Sequence, residues 1–276
     1  MPKQILKLLF LLLLLAATKL GQAAAPARIV SLSGTISEMV CDLGHQADLV
    51  GVDVTSTYPA ALAKLPKVGH TRSISAEGVL ALRPTLILGT TESIKPEVAS
   101  QLRSAGVSVQ LFKQEYSVAG TKKLVQEVAS LLGATAQVPA LTKKLDADLT
   151  KVQKPTKAPK VLFVYARGTG TMMVAGQGTS VEKVIQLAGG QNAAVGFSDF
   201  KPLTAEALVA ANPDYLLLFD SGLESLGGKA GLLQVPGVAQ TTAGRTGHII
   251  EMDGQLLTGF GPRLGQAAAE LARLTK

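Results

Sequence analysis

SAEGVLALRPTLILG (75–89) and TAEALVAANPDYLLLF (204–219) decide the fold, because the chain says the same thing twice. Each stretch opens on a hydroxyl residue, Ser75 or Thr204, a natural helix N-cap. Each then places a glutamate, Glu77 or Glu206, in the first helical turn, where the helix dipole favours an anion. A short apolar helix follows and runs up to a proline, Pro84 or Pro213, which cannot continue it. The runs after the prolines, Thr85–Leu88 and Tyr215–Phe219, are unbroken and apolar, as strands of a parallel sheet covered on both faces must be.

Working outward, a second pair of segments repeats a different unit. ARIVSLSGTISEMVCDLG begins at Ala27, and KVLFVYARGTGTMMVAGQGTSVEKVIQLAGG begins at Lys160. Both read strand, polar turn, helix, then glycine. The two pairs keep nearly the same order and separation, which predicts two similar three-layer α/β lobes, over 25–116 and 154–276. Between them, residues 117–153 carry apolar side chains at helical spacing (Leu124, Val128, Leu131, then Leu141, Leu145, Leu149). This predicts one long connecting helix, bent near Gly133 or Pro139. Two lobes leave a cleft, and ligands of open α/β sheets sit beyond the carboxyl ends of the strands. The loops expected to line it are 31–35, 53–59, 69–72, 90–93, 165–170, 197–201, 220–224 and 257–263.

The N-terminus reads as an export signal over 1–24. Lys3 and Lys7 precede an apolar run from Leu8 to Ala17, and small residues follow at Ala23 to Ala25. That run is shorter than the ~20 residues a membrane span needs, and the expected location is the periplasm. Cys41 is the only cysteine, so no internal disulfide exists, and its helical setting predicts a small buried hydrophobe. The formal charge is +7. Without a basic stripe interleaved with aromatics, this balance does not point to nucleic acid. No G-x-S-x-G elbow is present, which argues against an exported hydrolase. Three unclustered histidines argue against a structural zinc site.

LPKVGHTRSISAEGVLALRPTLIL (65–88), VLFVYARGTGTMMVAGQGT (161–179), GFSDFKPLTAEALVAANPDYLLL (196–218) and LLTGFGPR (256–263) occur in one order along the chain. With them the chain resembles the periplasmic haem-binding proteins of bacterial haem ABC importers, in the helical-backbone class that also carries siderophores and cobalamin. The resemblance implies a non-catalytic protein, monomeric, that takes haem b into the cleft and delivers it to an ABC permease dimer at the inner membrane. It also implies an iron ligand after Val68-Gly69. Relatives carry a tyrosine there, and this chain carries His70. Imidazole is a competent haem ligand. Tyr58 is the fallback ligand. Arg72 and Arg167 are candidate propionate partners, with Lys201 and Arg263 as weaker ones, and Tyr165 is a candidate to stack on the porphyrin. Glu77 and Glu206, one per lobe, are implied as permease-docking residues. A siderophore, cobalamin or metal ion is the alternative cargo. The thin aromatic content, 4%, argues against an aromatic chelate cage.

Overall fold

The structure, a computed structural model, describes residues 27–70 and 73–276. The export signal lies outside these residues, as does Arg72.

The first lobe holds β1 (Ile29–Ser31), α1 (Gly34–Asp42), β2 (Leu49–Val52), α2 (Ala76–Leu80), β3 (Leu86–Thr90), α3 (Pro96–Ser104) and β4 (Ser108–Phe112). Its strands form a parallel sheet in the order β2-β1-β3-β4. Adjacent residues of a strand face opposite sides, and both sides are buried. Ile29 and Leu88 enter the core that includes Met39 and Val128, while Val30 and Ile87 enter the one that includes Val79 and Leu102.

Two helices follow, α4 (Val118–Leu131) and α5 (Val138–Thr150). The expected single connecting helix is therefore two. Gly133 takes a left-handed φ of +69°, and the Ala134 N–H donates back to the Ala129 carbonyl at 2.8 Å. This is the usual closure of a helix by a left-handed glycine. Pro139 then sits in the first turn of α5, where its missing N–H costs nothing. The break divides allegiance. Leu124, Val125 and Val128 of α4 belong to the first lobe's core, and Leu145 of α5 belongs to the second's.

The second lobe comprises β5 (Lys160–Ala166), β6 (Met172–Ala175), α6 (Ser180–Leu187), β7 (Gln191–Asn192), β8 (Phe200–Pro202), α7 (Ala205–Ala211), β9 (Tyr215–Phe219), α8 (Asp220–Ser225), α9 (Gly228–Leu233), α10 (Thr242–Thr246), β10 (Ile249–Met252), α11 (Gly254–Thr258) and α12 (Leu264–Leu274). Its parallel strands pair β7-β5-β9-β10, the same connectivity as β2-β1-β3-β4. The repeat in sequence is thus a repeat in topology. The caps agree too: Ser75 Oγ accepts from the Gly78 N–H at 3.1 Å, and Thr204 Oγ1 from the Ala207 N–H at 3.2 Å. Before each helix-ending proline a residue takes positive φ, Arg83 at 49° and Asn212 at 38°. The second lobe departs from the first by the strands β6 and β8, which add antiparallel to the far end of β5. The helix α12 lies against α5, closely enough that a Cβ on Gly265 would stand 2.7 Å from Asp148 Cβ.

Candidate ligand cleft

A cleft of about 790 Å³ opens between the lobes at the carboxyl ends of their strands, a volume typical of small-molecule sites. From the first lobe it is lined by the start of α1 at Ser33–Thr35, by Val54, Thr55 and Thr57 after β2, and by His70. From the second lobe it is lined by Tyr165–Arg167 at the end of β5, by Phe219–Ser221 at the end of β9, and by Asp253–Gln255, Thr258 and Gly259. Six of the eight expected loops contribute. The loops 90–93 and 197–201 do not line this cavity.

His70 is exposed in the cleft. Its backbone is fixed: the His70 N–H donates to Ser73 Oγ at 3.0 Å, and the Ile74 N–H donates to the His70 carbonyl at 3.0 Å. Gly69 before it takes a φ of +102°, and a Cβ there would meet Ser73 Oγ at 2.9 Å. Among the described residues the imidazole has no hydrogen-bond partner. A ring held by its backbone, with unpaired nitrogens in a cleft, is well placed to coordinate.

Arg167 directly follows β5 on the opposite wall, with its guanidinium 5.9 Å from the Tyr165 ring centroid. Among the described residues no carboxylate lies within ion-pair distance of it. Tyr165 is half-buried and meets Phe219 edge-on, with centroids 6.1 Å apart. The second lobe therefore offers aromatic surface beside a cation.

The loop 53–57 is preorganised. The buried Asp53 carboxylate accepts from the Thr55 N–H at 3.1 Å and from Ser56 Oγ at 2.6 Å. Ser56 Oγ shares a further bond with Ser37 Oγ at 2.7 Å. Thr55 Oγ1 accepts from the Gly34 N–H at 3.2 Å. Gly34 is needed for that approach, since a Cβ would stand 2.7 Å from the Thr55 carbonyl oxygen.

Three of the expected ligand contacts lie outside the lining of this cavity. Arg263 does not line the cleft. It donates two charge-assisted bonds to Glu38, Nε to Oε1 at 3.0 Å and Nη2 to Oε2 at 2.8 Å. Glu38 is 3% exposed, and a buried carboxylate must find a countercharge. Burial pushes the Glu38 carboxyl up from its ordinary value, and Arg263 opposes that rise. Tyr58, the fallback ligand, lies with its ring 3.7 Å from the Arg263 guanidinium, outside the cleft lining. Lys201 on β8 sits over the Phe197 ring at 4.8 Å and is likewise outside it.

The sequence reading overlooked Gln255, a residue lining the cleft floor. Its Oε1 accepts from the Thr57 N–H at 2.7 Å, from Thr57 Oγ1 at 2.9 Å and from the Tyr58 N–H at 2.8 Å. Its Nε2 donates to the Gly34 carbonyl at 2.9 Å. Glu38 was overlooked as well, because a lone glutamate in an apolar helix carries no sequence signal of its partner.

Glu77 and Glu206 are exposed in the first turns of the equivalent helices α2 and α7. Cys41 is half-buried, and burial pushes its thiol up to about 11, so it is not a reactive thiolate.

The family model of the periplasmic binding proteins matches residues 29–256. The chain belongs to the periplasmic binding protein family. Among solved structures, the periplasmic haem-binding protein RhuT from Roseiflexus sp. RS-1 is 41% identical, covers 91% of this chain and 98% of its own, and superposes with a TM-score of 0.87. BhuT, solved in complex with two haems, is 38% identical over 90% of this chain and 97% of its own, with a TM-score of 0.84. A cobalamin-binding protein of Halobacterium salinarum is 26% identical over 90% of this chain and 69% of its own. As a periplasmic binding protein, the chain works in the periplasm and binds a substrate without transforming it.

Proposed function

We propose that this periplasmic binding protein captures haem in its inter-lobe cleft and delivers it to an ABC permease dimer at the inner membrane. The carrying observation is His70, an imidazole with no hydrogen-bond partner among the described residues, on one wall of a cleft whose other wall bears Tyr165, Phe219 and Arg167. Those groups match the three parts of haem b: an iron that accepts a nitrogen ligand, an apolar ring and a carboxylate edge. The relatives that bind haem, at 32–41% identity, support the same reading. In this reading His70 is the axial ligand, Tyr165 packs on the porphyrin, and Arg167 pairs with a propionate, joined by Arg72. Glu77 and Glu206 present one carboxylate per lobe to a two-fold permease, an arrangement suited to electrostatic docking. The working division is 25–116 and 154–276 for the lobes, with 117–153 connecting them.

A hemin titration of the purified protein followed by visible spectra, beside His70→Ala, tests this. A saturable Soret band of nitrogen-ligated type that is lost or shifted in His70→Ala is expected. An unchanged band in the variant would move the ligand elsewhere. Absence of saturable binding in the parent, with binding of cobalamin instead, would favour the second reading, which rests on the cobalamin-binding relative.

A further inference from the structure

The segment 255–263 belongs to the second lobe by chain order, yet its polar groups are spent largely on the first. Gln255 uses both ends of its amide there. Its oxygen takes three donors from Thr57 and Tyr58, and its nitrogen bonds the Gly34 carbonyl. The Gly259 carbonyl accepts from Thr35 Oγ1 at 2.5 Å and from Gln114 Nε2 at 2.6 Å. The Phe260 carbonyl accepts from Thr121 Oγ1 at 3.1 Å. Arg263 closes the row on Glu38 and carries the Tyr58 ring. Phe260 adopts a left-handed φ of +50°, a costly conformation for a bulky residue, kept where the surroundings over-determine it. Its ring is 1% exposed and meets Tyr116 edge-on at 5.4 Å.

We infer that Gln255 and Arg263 are positioning residues for the ligand cleft: they pin the wall formed by residues 54–58 to the floor formed by the opposite lobe. Gln255 fixes the backbone of Thr57 and Tyr58, so the Thr55 and Thr57 side chains face the ligand from one set position. Arg263, anchored by Glu38, keeps the Tyr58 ring outside, which leaves His70 as the ring donor of that wall. Moving this wall off the floor breaks several hydrogen bonds on one buried amide at once, and parting the lobes strips the buried Glu38 carboxylate of its countercharge. A site assembled from two lobes is thereby made one rigid surface before ligand arrives, which lowers the ordering that binding must supply.

The part that concerns ligand rests on the proposed haem site; the part that concerns the wall does not. Paired spin labels at Glu97→Cys and Lys229→Cys, both exposed, in a Cys41→Ser background report the distance between lobes. One narrow distance, unchanged by hemin, is expected for the parent. Gln255→Ala should broaden it without ligand, and hemin should leave the variant on the order of tenfold faster, since such changes fall mainly on dissociation. Thr57→Ala, a milder removal of one donor, should act in the same direction and covers poor folding of Gln255→Ala. A parent distance that shifts with hemin, or variants whose distances and dissociation rates match the parent's, would overturn the inference. If hemin does not bind at all, the haem reading fails, and the ligand-free comparison of Gln255→Ala with the parent still decides the positioning role.

Discussion

Arg263→Ala should be among the most damaging single substitutions in this protein, although Arg263 does not line the cleft. The Glu38 carboxylate is 3% exposed, and its two strong donors are both on Arg263. Among the described residues, what remains after truncation is Gln255 Nε2 at 3.3 Å, a neutral donor already shared with the Gly34 carbonyl. Removing one partner of a buried ion pair costs about 3–5 kcal/mol, because the other charge stays uncompensated. At about 2–4 °C per kcal/mol for a chain of this size, the melting temperature should fall by roughly 6–20 °C. Burial already raises the Glu38 carboxyl, and loss of Arg263 removes the strongest group opposing the rise. A folded-state pKa raised above the unfolded one favours the fold at low pH and penalises it as pH climbs. The deficit should therefore shrink on acidification from neutral pH. Thermal melts and urea titrations of the parent, Arg263→Ala and the doubly apolar Glu38→Leu/Arg263→Met supply the measurement. The double variant should recover most of the loss, since a buried ion pair and an apolar pair of similar volume are often close in stability. A loss in Arg263→Ala below about 1 kcal/mol, the range of exposed pairs, would refute the reasoning. So would a double variant no more stable than the single one.

Asp148 offers a second test on the other side of the acid range. Hydrogen bonds from Lys151, with further ones from Lys144 and Gln266, hold its carboxyl down at about 2. The stability it contributes is fully present above the unfolded value of about 3.9 and is lost as pH falls toward 2. Allowing for screening of the exposed lysines, Asp148→Asn should cost about 1–2 kcal/mol at neutral pH, and its urea midpoint should converge with the parent's near pH 2. For docking, Glu77→Gln/Glu206→Gln should leave hemin affinity within about twofold while slowing permease-dependent uptake into vesicles on the order of tenfold. Equal uptake by parent and variant would remove both glutamates from the interface.

The repeated cap, glutamate, helix, proline and apolar strand were legible because each is a local rule. Ser75 and Thr204 cap as their chemistry demands, and Tyr215–Phe219 is a strand because nothing in it can face water. The single helix expected over 117–153, bent near Gly133 or Pro139, is two helices because the apolar spacing resumes beyond Gly133 while the backbone does not continue through it. Of the site, the loops were placed by topology and His70 by family likeness. Arg263 and Tyr58 read as ligand partners because an arginine and a tyrosine near a cleft look like such partners in any sequence, whereas the structure sets Arg263 on Glu38 and the Tyr58 ring against Arg263.

What the sequence by itself determined was therefore the set of elements, their duplication and the edge of the sheets where a ligand must sit. All of these follow from propensities and burial patterns within a few residues. What only the tertiary structure decided was which polar groups are free. Glu38 and Arg263 are 225 positions apart, and Gln255 lies 198 from Thr57. A buried charge selects its partner by distance in space, and that choice consumed Arg263 and left Arg167 and His70 facing the cleft.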